Sequence, residues 1–277
     1  MAEIVSVIAS THNPRIFWNR EQANQEDLAG LNATFDHMRA MLAETRPDVI
    51  VAVANDHLDN FFFDNMPTFA VATGPVAEGP FWYESEIMFL PKYRALVPLD
   101  LAQHILRSGV EQGIQFSQVH DFRIDHAFTL PLSYLRPEQD LSLVPIMTNA
   151  FGYPLAANRR WYELGQFLGR AIRDWPGSER VAILGSFNLN IEVGGPKAGK
   201  YQPQFADWLL ERMRLGARDD ILNTLTVPRL IQEGNSTAEF LNYVTMLGVV
   251  ETTPPTFIAH QPVRGVGTCP VAFWRFA

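Results

Sequence analysis

The sequence predicts an α/β domain: a mixed, largely parallel central sheet flanked by helices. Three observations lead there. β-branched apolar runs recur (IVSVIAS, DVIVAVAN, RVAILGS), as expected of strands buried on both faces. Stretches with apolar residues at helical spacing separate them, which is the βαβ alternation. No repeat or low-complexity tract interrupts the pattern, so residues 1–277 read as one domain.

The elements follow in order. A strand over 4–10 runs into Thr11, His12, Asn13 and Pro14. Leu28, Leu31, Phe35, Met38 and Leu42 mark a helix over 25–45, and Pro47 punctuates before a strand over 48–54. TFAVAT (68–73) is a further strand, and the Gly/Pro-rich stretch 74–98 reads as loop. A helix over 99–112 turns Leu101, Ile105 and Val110 inward, and strands at 115–119 and 141–148 bracket a short helical piece at 127–135. A helix over 158–174 precedes the strand 180–186; helices near 204–215, 217–224 and 237–247 and strands at 256–260 and 269–276 close the chain. The long loops 11–25, 55–67, 74–98 and 187–203 are where function is expected.

Composition narrows the function classes. With 47% hydrophobic and 19% charged residues the chain is globular, not disordered. A formal charge of −8 argues against nucleic acid as a main partner. No apolar run approaches the roughly 20 residues of a membrane span, and MAEIVSV has no basic leader segment, so a cytoplasmic protein without a signal peptide is expected. The single cysteine, Cys269, suits a reducing compartment and excludes an internal disulfide and thiolate-rich metal sites. A metal here must use His, Asp, Glu and water.

Of seven histidines, His37 and His104 lie inside amphipathic helices and read as ordinary helix-face residues, while His120 and His260 end strands without a polar constellation around them. His12 and His57 differ, since each sits just past a buried strand. In open α/β sheets ligands gather beyond the carboxyl ends of such strands. Either imidazole alone could simply bond loop backbone; together, with a carboxylate, they can hold one metal ion. Two imidazoles and a carboxylate on one face leave three open positions, which suits non-haem Fe(II); Zn²⁺ with a bound water takes similar ligands. Asp56, Glu192 and Glu239 are the candidate carboxylates. Glu239, in GNSTAEFLNYV, sits one turn into a helix capped by Ser236 or Thr237, where a Glu is commonly just a favourable dipole partner. His126, in RIDHAFTLPL, either handles protons with its ring oriented by Asp125 or forms a capping pair with it.

These segments, taken in order, resemble the class III extradiol ring-cleaving dioxygenases, the family of protocatechuate 4,5-dioxygenase catalytic subunits. The matching pieces are the strand into STHNP, the strand into ANDH, DHAFTLPL, RWYELGQFLGRAIR, AILGS…EVGGP, AEFLNYV and RGVGTCPVAF, nearly the whole chain. The resemblance implies that His12, His57 and Glu239 are iron ligands and that His126 stands near the substrate and O₂, with Ala127 where the family usually has glycine. The departure lies in GSFNLNIEVGGP. The family's pattern there, G-[ST]-G-G-L-S-H, ends in the acid/base histidine, and in this chain Ile191 occupies its place. Phe187, Asn188, Asn190 and Ile191 are then expected to line a drier, reshaped substrate pocket. Isoleucine transfers no proton, and general acid–base catalysis is typically worth about 10²–10⁴-fold. His126, or a water held by Asn188 or Asn190, must carry the proton instead.

Three readings compete. The first is an Fe(II)-dependent dioxygenase acting on a small phenolic or catechol-like substrate and O₂, by extradiol cleavage or an altered oxidation at the same centre. The second is a regulatory family member that binds metal and ligand without turnover. The third is a Zn²⁺ hydrolase with Asp56 or Glu192 as general base. Some relatives need a small helical partner subunit; this chain stops after VAFWRF with no such extension, so a separate partner or a homo-oligomer stays open, and NFFFDNMP (60–67) reads as an interface, a pocket wall or a packed loop.

Overall fold

The apolar runs take the centre of one sheet because neither of their faces meets water. In the computed structural model, which describes residues 1–196 and 203–276, the strands are β1 (Glu3–Thr11), β2 (Val49–Asn55), β3 (Phe69–Ala72), β4 (Val76–Gly79), β5 (Tyr93–Leu96), β6 (Phe116–Val119), β7 (Ser142–Thr148), β8 (Arg180–Phe187), β9 (Phe257–His260) and β10 (Pro270–Arg275). The helices are α1 (Arg15–Trp18), α2 (Gln25–Thr45), α3 (Trp82–Glu86), α4 (Leu99–Glu111), α5 (His126–Leu135), α6 (Asn158–Asp174), α7 (Pro203–Arg214), α8 (Arg218–Thr224), α9 (Val227–Glu233) and α10 (Leu241–Val250), the last preceded by a 3-10 turn, Thr237–Phe240.

Eight strands form the main sheet in the order β6-β3-β7-β2-β8-β1-β10-β9. β7, β2, β8 and β1 run parallel side by side, whereas β3 and β10 join this central group antiparallel. The mixed, largely parallel sheet expected from the sequence is thus present. Its register decides where the site falls: Ala9 and Val53 both pair with Gly185, so β1 and β2 end level with β8 between them. The residues that follow, His12, His57 and Asn188, leave the sheet at one edge.

α10 crosses the sheet over β8 and packs against α6. A Cβ on Gly185 would stand 2.5 Å from Met246 Cγ, and one on Gly165 only 1.9 Å from the Thr245 carbonyl oxygen. The helices approach this closely because Gly165 and Gly248 face each other without side chains. The close approach brings the turn before α10 down to the ends of β1 and β8.

Four expectations need correction. Residues 74–98 are not loop: β4 and β5 pair as a two-stranded antiparallel sheet with α3 between them, too short for any period to register. α9 was not expected, although Pro228 in its first turn and Gly234 just past its end are the usual boundary residues. The helix expected over 237–247 is split, and Ser236 makes no side-chain capping bond. Val110 is not inward; it is 58% exposed, and Ala102, Leu106 and Gly109 join Leu101 and Ile105 on the buried face of α4.

Gly165→Ala should force α6 and α10 apart and lower stability by about 2–3 kcal/mol. A denaturant midpoint shifted down at constant m-value would show it, and an unchanged midpoint would contradict the close contact.

Candidate metal centre

His12 follows β1 and is fully buried. Its Nδ1 lies 2.9 Å from Ser186 Oγ, whose own hydroxyl donates to the Ala127 carbonyl at 2.5 Å. Towards the imidazole Ser186 is therefore an acceptor, and Nδ1 carries the hydrogen. Nε2 faces Glu239 Oε2 at 2.7 Å, hydrogen-bond distance when that nitrogen also carries a proton. His57 is held the same way: Asp125 Oδ2 accepts both its Nδ1–H and its backbone N–H, each at 2.9 Å. Its Nε2 stands 3.2 Å from Asn55 Nδ2 and 3.6 Å from Glu239 Oε1.

Both Nε2 atoms thus turn towards one buried carboxylate, and either protons on the rings or a metal ion between them must mediate the contact. The separations suit a metal ion. Ligand atoms about 2.1 Å from a metal at right angles stand about 3.0 Å apart, between the two observed distances. Burial opposes the charge on Glu239, but the charges and hydrogen bonds of His12 and His57 outweigh it and hold the carboxyl below its usual range. Burial likewise keeps His12 below the ordinary imidazole value although Glu239 pulls the other way, whereas for His57 burial is outweighed by the charges and hydrogen bonds of Asp125 and Glu239 and the ring is raised well above it, so a metal would have to displace a proton there. Neutral imidazole and ionised carboxylate are the forms that bind metals. Asn188 Nδ2 donates to Glu239 Oε2 at 2.8 Å and fixes the carboxylate's orientation.

His126 opens α5 beside this group. Its ring centroid lies 3.9 Å from that of His57 and 5.6 Å from that of His12, and one ring nitrogen from each of the three falls within 4.8 Å of the others. Its partner is not Asp125, which binds His57 and caps α5 through Ala127 N at 2.8 Å. Glu84 Oε1, from α3, hydrogen-bonds His126 Nδ1 and accepts its backbone N–H. Phe151, 5.3 Å from the His57 ring centroid, adds an aromatic neighbour. Sequence reasoning missed Glu84, Ser186 and Phe151. The only signal for Ser186 was its place one residue from the end of a buried strand.

His12, His57, Glu239, His126 and Asn188 come together. Phe187 does not line a pocket: it alternates away from Ser186 into the core, its ring 5.1 Å from Phe240 and 5.7 Å from Tyr243. Asn190 takes a left-handed backbone (φ 55°), which asparagine tolerates. Half-buried Ile191 accepts the Ser236 N–H at 3.1 Å and so ties this run to the Glu239 turn. Asp56 is buried, but it accepts the backbone N–H groups of Asp59, Asn60 and Phe61 and clamps that loop. Glu192 folds back over Gly195 in its own loop. In the 60–67 stretch Phe61 and Met66 pack on the core, while Phe62 and Phe63 are 53% and 70% exposed.

A family model described as the catalytic LigB subunit of aromatic ring-opening dioxygenase matches residues 6–273. The chain belongs to this family. It is similar to a 2,3-dihydroxyphenylpropionate/2,3-dihydroxicinnamic acid 1,2-dioxygenase of Klebsiella pneumoniae, 31% identical over 202 residues, which are 72% of this chain and 60% of the relative. The enzyme of the same name from Escherichia coli K12 is 30% identical over 187 residues, 67% of this chain and 57% of the relative. The match therefore spans less than two thirds of either relative. In fold the chain is similar to an uncharacterized protein of Escherichia coli K12, with TM-score 0.60, 14% identity and coverage of 98% and 99% of the two chains.

Asp56→Ala should strand the loop N–H groups and cost about 1–3 kcal/mol. Hydrogen exchange should quicken at residues 59–61 and leave the central strands protected; uniform protection would rule out the clamp.

Proposed function

We propose that this chain is the catalytic part of an extradiol-type aromatic ring-opening dioxygenase. It would hold Fe(II) through His12 Nε2, His57 Nε2 and the Glu239 carboxylate, and act with O₂ on a small ring bearing adjacent hydroxyls. The observation that carries this reading is the pair of imidazole Nε2 atoms turned towards one buried carboxylate, each ring held from behind by its other nitrogen. Bound Fe(II) would supply open positions where the substrate's oxygens and O₂ meet and exchange electrons.

The chain's own residues would do the rest. Ser186 and Asp125 hold the two rings with Nε2 forward, and Asn188 steadies Glu239. His126 is the group proposed to accept a proton from a ring hydroxyl and return it later, since Ile191 cannot. The Phe151 ring would give the substrate an apolar contact, and the burial of His12, Glu239 and His126 keeps bulk water back. The relatives, which are 2,3-dihydroxyphenylpropionate/2,3-dihydroxicinnamic acid 1,2-dioxygenases, support catechols with a carboxyalkyl substituent as the first substrates to try.

A regulator that only binds metal needs no proton-transfer group, and the buried Glu84–His126 pair favours turnover. A Zn²⁺ hydrolase would need a base at the metal, but Asp56 is engaged by loop N–H groups and Glu192 lies over Gly195. Among the described residues no helix is long and apolar enough to cross a membrane. A reducing cytoplasm would suit both Fe(II) and the single buried thiol.

The test is anaerobic reconstitution with Fe(II), addition of catechols, admission of O₂ and product identification by mass. A ring-opened product carrying both oxygen atoms is expected; no oxygen uptake with any catechol would overturn the reading. Asp125→Asn should weaken metal binding about 10–100-fold, measured by competition with a chelator, and His57→Ala should abolish tight binding. Unchanged affinity in either would remove His57 from the ligand set.

A further inference from the structure

We infer that Glu84 is a positioning residue that sets the tautomer of His126 and turns its Nε2 towards the proposed metal centre, so that the Glu84–His126 pair takes over the proton handling Ile191 cannot perform. This rests on the ring-opening reading above.

Glu84 is wholly buried. Charged residues are almost never fully buried unless paired, and the partners of Glu84 explain its place. Oε2 accepts the Phe81 backbone N–H at 3.3 Å; Oε1 accepts the His126 backbone N–H at 3.2 Å and bonds its Nδ1. Both carboxyl oxygens already accept backbone N–H groups, so towards the imidazole Glu84 is an acceptor as well, which places the hydrogen on Nδ1 and leaves the lone pair on Nε2. A proton leaving a ring hydroxyl would pass to Nε2, and the positive charge formed on the ring would lie against the carboxylate.

α3 is anchored well enough to do this. Next to Glu84, the Tyr83 hydroxyl donates to Asp59, 2.6 Å from Oδ1 and 2.7 Å from Oδ2, which ties the helix to the loop after His57. On the other side Ile124 N donates to the Glu78 carbonyl at 3.1 Å, and a Cβ on Gly79 would stand 1.7 Å from the Ile124 carbonyl oxygen. The strand leading into α3 therefore lies directly on the segment leading into Asp125 and His126.

The experiment compares Glu84→Ala and Glu84→Gln, each alone and combined with His126→Ala. Turnover is measured with Fe(II)-loaded protein and a catechol. The imidazole tautomers are read from ¹⁵N spectra of Zn(II)-loaded protein, which does not depend on turnover. The wild type should show His126 protonated at Nδ1, and Glu84→Ala should shift that signal towards the Nε2-protonated form. kcat should fall about 10–100-fold with KM little changed, and removing Glu84 should have no further effect once His126 is gone. Should Glu84→Ala not fold, Glu84→Gln keeps the volume, and the same loss confined to the His126-containing background is expected. An unchanged His126 signal in folded Glu84→Ala overturns the inference. So does a kcat loss that persists in the His126→Ala background, which a merely structural role would give. If the wild type turns over no catechol, the ring-opening reading falls separately and the tautomer measurement still decides whether Glu84 positions His126.

Discussion

The buried carboxylate of Glu239, facing the Nε2 atoms of two imidazoles, is the constraint around which this end of the molecule is built. Taking an ionised group out of water costs several kcal/mol even after relaxation, and only partners of opposite charge or donors of hydrogen bonds offset it. Asn188 supplies one donor. The two imidazoles supply the rest, by their own charge and hydrogen bonds or through a metal ion held between them and the carboxylate. Each ring is kept from turning away: Ser186 passes its own hydrogen to Ala127 and Asp125 is already shared with the α5 cap. The sheet register explains why these groups meet at all. β2, β8 and β1 are neighbours with level ends, and Gly185 lets α10 rest on β8 and lower its leading turn onto the strand ends.

The centre of this arrangement was legible in the sequence because buried parallel strands write a continuous apolar run, and two of those runs stop at histidines. His12 and His57 could be singled out on that ground alone. Glu239 could not: a glutamate near a helix start has a bland explanation, and its choice over Asp56 and Glu192 came from the resemblance. In the structure the residue lies in a 3-10 turn ahead of the α-helix, with its carboxylate at His12 and His57. Glu84 left no trace, since its helix has five residues and lies in a stretch too irregular for any period. Of the two roles open for Asp125, the helix-start cap is the one present, and the ring it holds is His57, because adjacency in sequence is a poor guide to which ring a carboxylate reaches across a turn. Phe187 was misread for the opposite reason: the alternation of a strand continues to its last residue, and Ser186 facing the site commits Phe187 to the core.

The Ile191 run shows how a substitution can be absorbed locally. Asn190 accommodates the left-handed backbone, and Ile191 turns its carbonyl to Ser236, so the segment braces the Glu239 turn. The loop has a mechanical task here, and the proposed proton traffic lies against α5.

The small β4–α3–β5 unit shares no strand with the main sheet. The groups proposed to grip the metal are rooted in central strands and in the turn above them, where almost any change disturbs the core, whereas Glu84 rides on an appendage bonded at its base. Changes in that unit can therefore reshape the side of the site proposed to handle protons while the strands that deliver His12 and His57 stay as they are.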